Sequence, residues 1–159
     1  DTMAVLKILQ EHDTGLRLKS RPVTEITPRI LRLLDDMTET MRRADGCGLA
    51  APQVGVLRRV VVIETEPGKV FELINPVITE SNGEQYGQEG CLSIPGKAGI
   101  VCRPETVVVE ALNRRGEHCR YTGSDLLARA FCHEIDHLDG ILYIDKALRM
   151  IRPDEQSEE

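Results

Sequence analysis

Residues 124–140 read SDLLARAFCHEIDHLDG and form the most informative part of the chain. His133 and His137 are four positions apart, so a helix places both imidazoles on one face, where they can bind one metal ion. Glu134 lies beside them, placed to take a proton from a water at that ion. This stretch therefore predicts a helix that carries a metal-dependent hydrolytic site.

The same stretch contains signals for the start and the end of its helix. Ser124 and Asp125 are a favourable N-cap and first-turn acid. Gly140 is expected to end the helix. The residues predicted to face inward are Leu127, Ala130, Phe131 and Leu138.

Two histidines do not complete a catalytic metal site, which usually has three protein ligands and one open position. Residues 89–95, EGCLSIP, offer a third ligand in Cys91, on a glycine-flanked, strand-like segment. Residues 46–53, GCGLAAPQ, hold two glycines spaced by one residue, which let backbone approach a ligand closely. Gln53 adds an amide donor at the end of that segment.

The rest of the chain predicts an α+β fold. Thr27 and Pro28 are an N-cap and first-turn proline, and an apolar face at helical spacing follows before Gly46. That face consists of Ile30, Leu34, Met37 and Met41. Short β-branched runs separated by turns then predict antiparallel strands at 60–63, 71–74, 106–111 and 118–121. We expect antiparallel β-sheets packed around a C-terminal metal-binding helix, with a second, N-terminal helix.

Composition limits the class of protein. At 159 residues the chain fits one domain, and 41% hydrophobic with 29% charged residues is typical of a soluble globular protein. The net charge of −6 argues against a nucleic-acid surface, and no apolar run reaches membrane length. Five cysteines without tight spacing do not suggest disulfides, so we expect a cytoplasmic protein. We also expect Asp1 and Thr2 to be a cloning or processing remnant, and residues 154–159 to form a disordered acidic tail.

The three segments, in this order, resemble the signature motifs of the peptide deformylases, which remove the N-formyl group from nascent bacterial proteins. The family patterns GxGLAAxQ, EGCLS and HExxH stand here at residues 46–53, 89–93 and 133–137. The resemblance extends over nearly the whole chain. It implies a metallohydrolase that acts on a linear amide bond other than a peptide bond.

The resemblance also implies roles for the site residues. Three of them would hold the ion, with water as fourth ligand: Cys91, His133 and His137. The implied ion is Fe²⁺, with Zn²⁺, Ni²⁺ or Co²⁺ able to replace it, whereas coordination rules alone would name zinc. Glu134 would act as general base and then general acid. The Gln53 amide and the Leu92 backbone N–H would stabilise the oxyanion.

The implied substrates are N-formylmethionyl peptides and nascent chains. Backbone groups that would bind the peptide belong to Cys47, Gly48 and Gly90. The walls of the methionine pocket would be Leu126, Ala130 and the methylene stem of Arg129, unless these residues only pack the helix. We expect His12 and His118 to be surface or structural residues.

Two positions depart from the family pattern. Cys132 stands where glutamine is common, and simple packing explains a free thiol there better than a redox role. The chain also ends soon after Pro153, where many relatives continue into a long basic helix linked to ribosome docking. Ribosome binding is therefore expected to be weak or absent, and no direct nucleic-acid site or membrane contact is expected.

Two other classes of protein fit part of the pattern. A metallopeptidase of the His-Glu-x-x-His type would need a further ligand downstream, but no histidine follows His137. A non-catalytic zinc-binding domain would need a fourth Cys or His. Cys132, on another face of the helix from His133, suits that role poorly.

Overall fold

The computed structural model describes residues 3–156. Its helices are α1 (Pro28–Arg43), α2 (Asp125–Leu138), and the single-turn α3 (Tyr143–Lys146) and α4 (Pro153–Gln156). Its strands are β1 (Gly48–Ala50), β2 (Val60–Glu66), β3 (Lys69–Asn82), β4 (Gln85–Cys91), β5 (Ile94–Arg103), β6 (Thr106–Leu112), β7 (His118–Ser124) and β8 (Arg149–Met150). Short 3-10 turns lie at Thr14–Arg17 and Ala51–Val54.

The strands form two antiparallel sheets. The larger has the order β1-β2-β3-β6-β7, and the smaller has the order β4-β5-β8. The chain is thus an α+β protein with antiparallel sheets and two long helices, as the sequence predicted. None of the described helices is long and apolar enough to cross a membrane.

The larger sheet lies between the two long helices. Strand side chains alternate between its faces. Val61 and Ile63 pack with Phe131 of α2 on one face, whereas Val60 and Val62 pack with α1 on the other. The α1 residues buried there are Leu33, Leu34, Met37 and Met41. Because α2 is anchored to a sheet along its length, the residues at its other face are held rigidly.

Both long helices begin where the sequence predicted, but only one is capped as expected. The Thr27 hydroxyl accepts a hydrogen bond from Ile30 N at 3.4 Å. Ser124 precedes α2, yet its hydroxyl does not cap the helix and lies 3.3 Å from the Thr106 hydroxyl instead. The reason is register, since Thr106 is opposite Ser124 in the pairing of β6 with β7. Gly140 stands two residues after the last residue of α2 and has φ 74°, a conformation that favours glycine.

The second sheet was only partly anticipated. The sequence suggested a strand-like arm around Cys91, but not its partner β5 or the short strand β8. Residues 154–156, expected to belong to a disordered tail, instead lie in α4, where Glu155 accepts a hydrogen bond from Arg152 N at 2.9 Å. Residues 1–2 and 157–159 lie outside the described residues, so the expectations about them stay predictions.

Candidate metal centre and substrate cavity

One thiol and two imidazoles meet where the smaller sheet reaches α2. Cys91 is the last residue of β4, and His133 and His137 are one turn apart near the end of α2. Their potential ligand atoms all lie within 4.8 Å of one another, and Cys91 Sγ is 3.4 Å from His137 Nε2. Within residues 3–156, no fourth Cys, His, Asp or Glu joins this group. That geometry suits a three-ligand site better than a closed structural zinc site.

Glu89 contacts one nitrogen of the His133 ring and thereby orients the ring. Its Oε1 is 2.9 Å from His133 Nδ1. Burial by itself would raise the pKa of Glu89, but its bonds to Arg103 and His133 lower that pKa to about 2. An ionised carboxylate can only accept, so Nδ1 carries the hydrogen and Nε2 is left to bind a metal ion.

The surroundings shift the pKa values of the two histidines in opposite directions. Burial alone would lower the pKa of His133, yet the negative charge of Glu134 and hydrogen bonds to Cys91 and Glu89 raise it well above its ordinary value. Burial and the neighbouring His133 lower the pKa of His137. The acidic neighbours of His133 therefore favour positive charge at this point, which a cation bound at Nε2 would supply in place of a proton.

Glu134 is buried beside the ligands, and its Oε1 has no hydrogen-bond partner among the described residues. Burial is the largest influence on this carboxyl and raises its pKa to about 7. A group that takes and releases protons near neutral pH suits general acid–base catalysis. The arrangement can therefore move a proton next to the three candidate ligands.

A cavity of about 400 Å³ opens over this site between β1, the β4–β5 turn and α2. Every residue that the sequence proposed for the site lines it, except His137, which is buried. The remaining lining includes Asp45, Gln88, Ile94, Gly96 and Lys97. Sequence reasoning missed these five, although Asp45 directly precedes the glycine motif and Ile94 directly follows EGCLS.

Gln53 is fixed at the edge of the cavity by its own loop. Its Oε1 accepts a hydrogen bond from Ala50 N at 3.0 Å, and its Nε2 donates to Ser93 Oγ at 3.1 Å. The same Nε2 is 3.5 Å from Cys91 Sγ. Its NH₂ group thus faces the segment that carries the thiol.

The backbone of β1 presents Gly48 to the cavity. The carbonyl of Cys47 accepts from Glu64 N at 2.8 Å. Hydrogen-bonded pairs alternate along antiparallel strands, so the N–H and C=O of Gly48 point away from β2, at the open edge of the sheet. The expectation that Cys47 also offers backbone groups needs correction for its carbonyl, which β2 already occupies.

The α2 residues proposed for the methionine pocket differ in exposure and in whether their side chains are hydrogen-bonded elsewhere. Leu126 is exposed and Ala130 is buried, and both line the cavity. Arg129 also lines it, but its guanidinium donates to Glu89 Oε2 at 2.6 Å and to the Val101 carbonyl at 3.1 Å. Only the methylene stem of Arg129 remains to form a wall.

The other histidines and Cys132 lie away from this chemistry. The side chains of His12 and His118 are 81% and 65% exposed. Cys132 is buried among the side chains that join α2 to the larger sheet, and burial raises the pKa of its thiol to about 11. The two histidines thus lie at the surface and Cys132 packs in the core, which agrees with the surface and packing positions expected from the sequence.

Sequence reasoning did not identify the partners of Glu89. Arg103 donates to both of its oxygens, at 2.8 and 3.0 Å, and also to Asp136 at 2.8 Å. Glu89 itself stands in the EGCLS segment, and a buried acid there would have required a cation. Nothing in the local pattern indicated which arginine supplies it.

A family model for polypeptide deformylase matches residues 5–152. A peptide deformylase of Acetivibrio thermocellus is 61% identical over 153 residues, covering 96% of this chain and 89% of that protein. One from Thermoanaerobacter pseudethanolicus is 53% identical and covers 98% of each. Among solved structures, a peptide deformylase from Legionella pneumophila aligns with a TM-score of 0.88 at 40% identity, covering 97% of this chain and 90% of that one. Another from Thermotoga maritima aligns with a TM-score of 0.87 at 36% identity, covering 90% of this chain and 97% of that one.

Proposed function

The chain belongs to the polypeptide deformylase family, and on that premise we propose that it removes the N-formyl group from the N-terminal formylmethionine of newly synthesised proteins, releasing formate. The observation that carries the proposal is the placement of Cys91, His133 and His137 next to Glu134 beneath one cavity. Water would cleave the formyl C–N bond, leaving formate and a free amine. The enzyme would act on peptides and nascent chains in the cytoplasm.

Cys91, His133 and His137 would hold one divalent ion per chain. The thiolate and imidazole donors suit zinc as well as iron, nickel or cobalt. We assign Fe²⁺ from the likeness to the family, with the other three able to replace it. When bound, such an ion supplies Lewis acidity, which makes water acidic enough to act as a nucleophile near neutral pH.

Glu134 would carry the proton through the reaction. Its Oε1, which has no partner among the described residues, can accept a proton from the attacking water. Burial raises the pKa of this carboxyl to about 7, so it can both bind and release a proton near neutral pH. The same carboxyl would then donate to the departing amine nitrogen. A carboxyl with a pKa of about 7 suits both steps.

Gln53 and Leu92 would stabilise the oxyanion that forms on the formyl oxygen. The Gln53 amide is held by Ala50 and Ser93, so its direction is fixed before the substrate arrives. Leu92 is the first of two residues in the turn between Cys91 and Ile94, which places its N–H outside the paired ladder of β4 and β5. Donors fixed in advance lower the barrier most, since they need no reorganisation during the reaction.

The peptide would lie along the open edge of β1. Gly48 offers backbone groups there, and Gly90 lines the opposite wall. The methionine side chain would occupy the part of the cavity formed by Leu126, Ala130 and the stem of Arg129. Adding a strand to an exposed sheet edge is a common way to bind an extended peptide.

Formate release from a formyl-Met tripeptide would test the proposal. The protein should be purified without oxygen, loaded with Fe²⁺ and compared with the same protein after chelation. An acetyl-Met tripeptide and an internally quenched unblocked peptide are the matched controls. Release of formate only from the formyl peptide, and only with metal, is expected. Cleavage of the internal peptide instead would point to a metallopeptidase.

A further inference from the structure

Glu89 is held by two buried arginines as well as by its contact with His133. Its Oε2 accepts from Arg103 Nε at 2.8 Å and from Arg129 Nη1 at 2.6 Å. Its Oε1 accepts from Arg103 Nη2 at 3.0 Å and lies 2.9 Å from His133 Nδ1. The side chains of all three charged residues are less than a tenth exposed, so water does not weaken these contacts.

The two arginines differ in the carboxylates that they bind. Arg103 is shared, because its Nη1 also donates to Asp136 at 2.8 Å. Asp136 has a second cationic partner in Lys146, at 3.0 Å, whereas the second cation in contact with Glu89 is Arg129. A buried carboxylate is held in place by the charged groups bound to it, so the contact from Arg129 helps to fix the position of Glu89.

Arg129 also connects α2 to the sheet that carries Cys91. It stands one helical turn before His133, on the same face. Its guanidinium donates to the Val101 carbonyl of β5 at 3.1 Å and lies 3.4 Å from Gln85 Oε1 of β4. Gly87 leaves the room for this, since a β-carbon there would be 2.8 Å from Arg129 Nη2. The stem of the same side chain lines the cavity.

Building on the proposed function, we infer that Arg129 is a positioning residue for the metal ligand His133, acting through Glu89. It fixes the carboxylate that orients the imidazole, while its stem forms a wall of the substrate cavity. Specificity and metal retention thus depend on one side chain. Exchanging Arg129 to reshape the pocket would also loosen the metal site.

Zinc affinity provides a test that does not require the proposed reaction. Arg129→Met keeps an apolar stem and removes the guanidinium. The dissociation constant for Zn²⁺ should be measured by competition with a chelator, together with the visible absorption of the Co²⁺-loaded protein and the kcat and KM for a formyl-Met peptide. Loss of a residue that orients a ligand weakens metal binding by about 10- to 100-fold. We expect weakening of that order, a changed cobalt spectrum and a lower kcat.

Arg114→Met is the matched control. Arg114 is also a doubly paired arginine, bound to Glu72 and Asp35 on the far side of the larger sheet from α2. That variant should keep the zinc affinity and the cobalt spectrum of the natural sequence. Equal weakening in both variants would overturn the inference, since it would reflect a general loss of stability.

Arg129→Lys covers the case in which the methionine variant does not fold. Lysine keeps the charge but cannot reach Glu89 and the Val101 carbonyl with the same fork, so zinc affinity should fall by at least about threefold, less than with methionine. Unchanged zinc affinity in Arg129→Met would overturn the inference and leave Arg129 as a wall of the cavity only. If only Arg129→Lys folds, unchanged zinc affinity in that variant would lead to the same conclusion. That result would leave the proposed deformylase activity untouched, because formate release by the natural sequence is measured separately.

Discussion

Gly48 lies directly against the carboxylate of Glu134. A β-carbon at position 48 would come within 2.5 Å of Glu134 Oε2 and 2.9 Å of its Cδ. A β-carbon does not lie that close to other heavy atoms, so any larger residue would have to displace the Glu134 side chain or β1. Gly48 is thus required to leave space for the carboxylate of Glu134, the proposed catalytic acid. This role is additional to the peptide binding expected of Gly48.

Gly48→Ala should lower kcat by about 10- to 100-fold, because small displacements of a proton-transfer group have effects of that size. Metal content should stay near that of the natural sequence, since the three atoms nearest to the new methyl group all belong to Glu134 and none to a candidate ligand. Gly15→Ala is the control, because a β-carbon there meets only Leu9 at an ordinary 3.8 Å. Steady-state kinetics with metal analysis checks both, and full turnover in Gly48→Ala would contradict this placement of Glu134.

Glu134→Gln should keep the metal ion and lose turnover by roughly 100-fold or more, since the amide cannot accept the proton. The carboxyl is buried beside the ligands but does not belong to the group of three within 4.8 Å. Metal content and formate release, measured on one preparation, show whether Glu134 acts in catalysis or as a metal ligand. A variant that loses its metal would make Glu134 a ligand, and near-normal turnover with metal present would remove it from the chemistry.

The same substitution should change the pH dependence of stability in the metal-free protein. Burial raises the pKa of Glu134 from 4.5 to about 7. The unfolded chain then releases this proton at lower pH than the folded chain, so the folded state loses stability as pH rises from 4.5 to 7. Glu134→Gln removes that loss, and we expect it to stabilise the protein by up to about 3 kcal/mol at pH 8 but by less than about 1 kcal/mol at pH 5.

Urea unfolding at both pH values measures this difference. Glu25→Gln, at an exposed position, should leave stability nearly unchanged at both. Equal stabilisation by Glu134→Gln at pH 5 and pH 8 would mean that the carboxyl ionises at its ordinary pKa.

Cys91→Ala should lower metal stoichiometry and activity together, because two histidines alone make an incomplete site. Cys119→Ala is the control among the other cysteines, since Cys119 lies on β7 away from the cavity. It should leave both quantities near normal. If Cys91→Ala retained full metal and turnover, the three-ligand site would be wrong.

Local patterns predicted the parts of the fold that local physics determines. The periodic apolar face of α1 and the β-branched run at Val60–Ile63 gave the correct elements, because residue spacing and β-branching are local properties of the chain. The His133–His137 pair needed only helical geometry. Motif order then indicated which distant segments would join it at one cavity.

Features that depend on contacts between distant residues were not predictable in this way. Strand β5 contains Gly96 and Gly99 and lacks a clear alternation, so its strand conformation depends on pairing with β4 and β8. Arg129 lies 40 positions from Glu89, and its stem alone suggested a pocket wall. The Ser124 hydroxyl was expected to cap α2, but the register of β6 gives it another partner.

The C-terminal segment offers little positive charge to a ribosome. Docking on ribosomal RNA depends on Lys and Arg that displace counterions, which makes binding fall steeply with salt. After Asp145 the bases are Lys146, Arg149 and Arg152, and the acids are Asp154, Glu155, Glu158 and Glu159. Two of these bases already pair with carboxylates, since Lys146 lies 3.0 Å from Asp136 and Arg149 lies 3.2 Å from Glu155.

Deleting residues 154–159 should therefore leave turnover of short formyl peptides unchanged. The deletion removes exposed ion pairs of Arg149 and Arg152, and such pairs contribute at most about 1 kcal/mol each. It leaves the pairing of β8 with Gly99 and Ile100, which holds the segment to the smaller sheet. Co-sedimentation with ribosomes at physiological salt should be near background for the 159-residue chain and the shortened chain alike. Strong, salt-sensitive co-sedimentation that disappears on truncation would show that the acidic segment docks by a mechanism other than phosphate neutralisation.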